Sequence, residues 1–73
     1  MKPDRLVVFR GADGEWRWRS MKGHNRRIVV SVSREGYRRR SDAVGMAFAL
    51  HEWAREVHIA DGRDAGRFIE RRA

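Results

Sequence analysis

Trp16, Arg17, Trp18 and Arg19 alternate indole and guanidinium groups over four consecutive positions, and such side chains stack on nucleobases and neutralise phosphates. Basic residues continue through Lys22, Arg26, Arg27, Arg34, Arg38, Arg39 and Arg40. Residues 17–40 thus hold nine cations against the single acid Glu35, whereas the remainder is close to neutral within a total charge of +7. A field confined to the middle third of the chain attracts polyanions and steers their approach. Coding bias can favour arginine over lysine; it does not remove the acids.

Strand alternation divides the aromatic-basic run. With residues 15–21 extended, Trp16, Trp18 and Ser20 share one face, and Arg17, Arg19 and Met21 share the other. In so short a chain Trp16 and Trp18 read as the largest pieces of the core. Arg17, Arg19, Lys22, Arg26 and Arg27 then make the opposite sheet face and its adjacent turn cationic, and they are the candidate nucleic-acid contacts. Arg38, Arg39 and Arg40 join them as phosphate ligands just ahead of a helix N-terminus.

Other chemistry finds little support. Ser20, Ser31, Ser33 and Ser41 fall at strand or cap positions with no evident His–acid pair, and cysteine is absent, so no enzyme is expected. His51 and His58 are seven residues apart; on one helix they share a face but stand about 10 Å apart along it. Zinc-binding helices use a spacing of four, and Glu52 and Glu56 point elsewhere on such a helix. The histidines therefore read as solvated or rim residues, and no metal or other cofactor is implied. Asp61 and Asp64 read as turn and cap residues.

The elements that must position these groups follow from local pattern. Leu6 to Arg10 is β-branched and aromatic, and Asp13-Gly14 separates it from the alternating run, a strong hairpin signal. Residues 22–26 read as a second turn. Ile28 to Ser33 is a third strand, with Ile28, Val30 and Val32 on one face and Val29 among the serines opposite. Ser41 suits an N-cap and Asp42 the positive end of a helix dipole. Apolar residues at 43, 46, 47, 50, 53, 54 and 57 then predict one helix running to Val57. Val44 and Phe48 widen its apolar arc beyond what a thin sheet covers, and Trp53 lies on its flank, so Phe48 and Trp53 are candidate partner contacts. Asp64 could cap a short final helix carrying Phe68 and Ile69.

In order and spacing, Phe9, Asp13-Gly14, Glu15-Trp16-Arg17-Trp18-Arg19, Asn25, Ile28-Val29, Ser33, Glu35-Gly36-Tyr37 and Ser41-Asp42-Ala43 resemble the YegP-like family of small domains of unknown function. The resemblance covers about residues 5–57. It implies a β-β-β-α unit that pairs through its strands into dimers or tandem repeats, and it implies no catalytic residue. Two departures stand out: Arg26 follows Asn25 where the family has glycine, and the interval to Tyr37 is one residue longer. A second hairpin that is bulged or differently turned would accommodate both. A three-stranded sheet backed by a helix also resembles, at the level of layout, plant AP2-type and integrase arm-binding domains, which present arginines to a DNA groove.

The expectation is one α+β domain spanning residues 1–73: a three-stranded antiparallel sheet, one helix on one face, and a C-terminal extension from residue 58. A chain of 73 residues without disulfides buries little core alone, which favours a homodimer. Absent cysteine, an apolar run of only four residues after Pro3-Asp4-Arg5, and no stretch near the roughly 20 apolar residues of a membrane span favour the cytoplasm. Two roles remain: nucleic-acid binding through the basic face, or a homodimeric protein-interaction module whose charge is incidental.

Overall fold

A computed structural model describes residues 2–23, 28–62 and 65–72. Its elements are β1 (Arg5–Arg10), β2 (Trp16–Lys22), β3 (Ile28–Val32), α1 (Arg40–Leu50), β4 (Glu56–Ile59) and β5 (Phe68–Glu70). They form one five-stranded sheet in the order β3-β2-β1-β4-β5, with α1 against one face. Strands β1–β2, β2–β3 and β4–β5 pair antiparallel, whereas β1 and β4 pair parallel. The expected three-stranded antiparallel sheet is therefore corrected to a five-stranded mixed sheet.

The physical centre of the sheet is β1. Paired on both edges, it also buries side chains on both faces: Leu6 and Val8 toward the helix, Val7 away from it. Such an unbroken apolar run suits a central strand whose side chains are buried on both faces. The β1–β2 hairpin turns through residues 11–15, where Gly14 adopts φ 84°, a left-handed conformation that an L side chain resists. Trp18 is buried in the core with Leu6, Val8, Ala43, Val44, Ala47, Ala54, Val57 and Ile59, and Trp16 packs against it half-buried. The second hairpin shifts register between Ser20 and Met21. Its turn, at His24 to Arg27, lies outside the described residues. The shift also reorders β3: Val32 pairs with Arg19 and Ile28 with Lys22, so Ile28 and Val32 do not share a face.

After β3, Trp16 and Tyr37 exchange backbone hydrogen bonds of 2.7 and 2.8 Å, which returns the chain to the helix start. The N-cap is Arg39, with no side-chain cap bond, rather than Ser41. The helix also stops at Leu50 instead of running to Val57. Residues 50, 53, 54 and 57 satisfy a helical period, yet Val57 and Ile59 satisfy a strand period equally well, and here the strand prevails. The difference comes from residues far along the chain. Arg71 donates from Nη2 to the carbonyls of Phe48 (2.9 Å) and His51 (2.7 Å) and from Nε to that of Ala54 (2.8 Å). Its guanidinium lies 4.6 Å from the Phe48 ring centre. A cation thus adds donors to the carbonyls at and just beyond the helix end and faces its negative dipole end. Residues 68–70, expected as a short helix, instead extend the sheet as β5; Asp64, its expected cap, is outside the described residues.

Replacing Arg71 by alanine takes the donor from the Ala54 carbonyl and leaves the Phe48 and His51 carbonyls with only their backbone bonds, and is expected to cost about 1–2 kcal/mol in urea unfolding. Arg71→Lys should recover less than half of that, because an ammonium lacks the planar fork that spans three acceptors. An alanine variant as stable as the parent would remove Arg71 as the clamp.

Candidate functional site

The sheet face turned away from α1 carries the arginines of the aromatic-basic run. Register places Arg17 beside Phe9, Arg19 beside Val7 and Val32, and His58 beside Val7 and Phe68. Their surroundings, however, occupy them. Arg17 forms a bidentate pair with Asp13, its Nη1 and Nη2 donating to the two carboxylate oxygens at 3.0 and 2.9 Å. Those bonds, with the Glu15 backbone N–H donating to the same carboxylate, hold the Asp13 carboxyl down to about 2 and raise Arg17 above its usual value. Arg19 lies with its guanidinium carbon 4.8 Å from the Phe9 ring centre, and its Nε is buried with no acceptor among the described residues. Lys22 Nζ stands 3.8 Å from Asp4. The face is consequently less cationic than its sequence, and apolar: Val29, Val32 and Phe68 are exposed around a buried Val7 and Met21.

Lower on the same face, Arg5 meets His58 Nδ1 at 3.0 Å while His58 Nε2 lies 2.9 Å from Glu56. With Arg5 donating, Nδ1 accepts and Nε2 carries the proton toward the carboxylate. These residues border a cleft of about 460 Å³ together with Asp4, Trp53 and Arg55. The two histidines do not share a helix. His58 is on β4, and His51, expected as a solvated residue, is buried at the helix end, where Nδ1 bonds the Ala47 carbonyl at 2.7 Å. Its ring stands edge-on to Trp18 and Trp53, with centres 4.7 and 5.8 Å away. Among the described residues no three His, Asp or Glu side chains gather as a metal site.

Arg38, Arg39 and Arg40 lie apart from Arg17 and Arg19, at the start of the helix on the other side of the sheet; Arg38 and Arg39 are exposed. Arg26 and Arg27 are outside the described residues. Phe48, a candidate partner contact, is half-buried against the core beneath Arg71, and Trp53 is exposed at 43%. Two features escape sequence reasoning. One is a groove between α1 and β5 that joins Arg39, Arg40 and Phe48 to Ile69, Arg71 and Arg72. The other is β3, whose five residues are all exposed. Its signal was present: Ile28 to Ser33 is uncharged in a chain that is 37% charged.

Among the described residues no helix is long and apolar enough to cross a membrane. Comparisons with protein-family models, with curated proteins and with solved structures each found no match.

The Asp13–Arg17 pair gives a direct titration test. A depressed carboxyl contributes stability above its unfolded value near 4, a contribution lost as pH falls toward 2. NMR titration should place the Asp13 midpoint near 2, and Arg17→Gln should return it toward the ordinary carboxylate range. An unchanged midpoint in the variant would show that Arg17 is not its cause.

Proposed function

We propose that this domain is a self-associating interaction module in which β3 of one copy pairs with β3 of a second. The carrying observation is the edge itself: Ile28, Val29, Val30 and Val32 are 52, 46, 38 and 46% exposed on a strand that, among the described residues, has one free edge. An edge strand left apolar, uncharged and uncovered is a template for another strand. A second copy is the occupant that matches it, because antiparallel pairing about a twofold axis brings the same apolar run to both sides. One five-residue strand makes an interface at the small end of the usual range, so the dimer should dissociate on dilution. Each copy carries +7, so added salt should tighten it.

Light scattering across a concentration series is expected to show a monomer–dimer equilibrium that shifts toward dimer with salt. Val30→Lys places a charge on the edge and should give a monomer of unchanged circular dichroism. A monomer at every concentration would overturn the assembly, and a dimer that survives Val30→Lys would overturn the choice of edge.

Nucleic-acid binding is a second reading, supported by the exposed Arg34, Arg38 and Arg39 in the connection from β3 to α1, a segment whose one acid is Glu35. It predicts the opposite salt dependence, because neutralising phosphates releases counterions. In gel-shift titrations with duplex and single-stranded DNA, binding should weaken steeply with salt and fall at least tenfold in Arg34→Glu/Arg38→Glu. No shift at low salt would remove this reading.

A further inference from the structure

The groove between α1 and β5 has walls of two kinds. Val44, Gly45, Phe48 and Ile69 supply an apolar floor, and Arg39, Arg40, Arg71 and Arg72 surround it, with Ser41 and the single acid Glu70 completing a space of about 870 Å³. That size is within the range of sites that accept a small ligand or a short peptide segment. The floor follows the helix: residues 40, 44 and 48 are one turn apart and share a face. Arg71 is committed to three carbonyls and forms a fixed wall. Arg39 and Arg72 are exposed cations on the rim.

Gly45 adds an independent observation. Glycine within a helix is unfavourable relative to alanine. Among the described residues nothing requires it there: outside its chain neighbours and its own helix backbone a Cβ at Gly45 would meet no atom within 4 Å, and its φ is not left-handed. The packing of this chain therefore does not explain why the helix surface is kept bare at the groove floor. An outside chain lying close to the helix backbone does.

We propose that the α1–β5 groove binds a short acidic peptide segment bearing a large apolar side chain, the apolar group resting over Gly45 between Phe48 and Ile69 and the carboxylates meeting Arg39 and Arg72. Charge complementarity selects an acidic partner. The apolar floor and the rim carboxylate of Glu70 favour a peptide over a continuous polyphosphate. The site is separate from β3, at the opposite end of the strand order, so it does not depend on self-association.

The probe is a fluorescein-labelled octapeptide of glutamates around a central phenylalanine–leucine pair, with its glutamine twin and an unlabelled oligothymidylate as comparisons, read by anisotropy on the full chain. Saturable binding is expected, at least tenfold weaker for the glutamine twin, for Arg39→Glu/Arg72→Glu and for Gly45→Leu, with Val30→Lys binding like the parent. Circular dichroism and melting temperature of Gly45→Leu should match or exceed the parent's, which separates a filled groove from a misfolded chain. Absence of binding, undiminished binding by a folded Gly45→Leu, or displacement by oligothymidylate that Gly45→Leu does not alter would each overturn the proposal. The Val30→Lys arm keeps this outcome apart from that of the β3 dimer, because a monomer that still binds the peptide supports the groove whatever becomes of the edge.

Discussion

One guanidinium holds the two halves of this fold together. Arg71 reaches from beyond β5 to the carbonyls of Phe48, His51 and Ala54, and its backbone N–H bonds Arg55 at 2.8 Å. The contacts end the helix, start the turn into β4 and fasten the last strand at once. Without them the Phe48 and His51 carbonyls would keep only the backbone bonds from His51 and Ala54, and no cation would face the negative end of the dipole: the last turn of α1 carries no basic residue. The parallel β1–β4 pair depends on the same point. A parallel neighbour needs a crossover element, and α1 serves only if it stops early enough for residues 56–59 to return along β1.

This long-range cap explains which parts of the fold were legible. The β1–β2 hairpin and the burial of Trp18 follow from alternation and turn chemistry, both of which act over a few residues. The helix end did not. Leu50, Trp53, Ala54 and Val57 continue a helical period, and no glycine or proline interrupts them, because the stop signal lies at residue 71. A second clue was available in β1. Leu6-Val7-Val8-Phe9 does not alternate, and a strand at the edge of a three-stranded sheet with one wet face should. That run suits a central strand, which is the position β1 occupies in the five-stranded order, with Val7 buried among the side chains of its neighbours.

The basic surface shows a similar division between type and use. A count of arginines locates charge; it does not say which charges remain available. Arg17 is neutralised by an aspartate four residues away, the same residue whose carboxylate shapes the hairpin turn. Arg19 covers Phe9 and lends its stem to the burial of an otherwise open face, the usual double role of a long cationic side chain. The exposed cations gather instead where the chain leaves β3 for α1 and where it leaves β5, two places distant in sequence that the fold brings to one groove. Sequence reading found Arg39, Arg40 and Phe48 separately and assigned them to different roles; only the tertiary arrangement puts them on one surface.

The geometry of the sheet sets how the two proposed surfaces relate. The edge β3 and the groove beside β5 occupy opposite ends of a five-strand order. Joining two copies through β3 would give ten strands in one sheet, and at about 4.8 Å per strand the two β5 edges would stand roughly 40 Å apart. The grooves would then face outward at both ends of the dimer, unobstructed by the contact that forms it. An assembly of that shape converts a weak groove into a bivalent one for any partner that carries two acidic segments. The gain depends on a linker able to span the separation. Self-association and partner binding would thus be linked through avidity, with no change of conformation required in either copy.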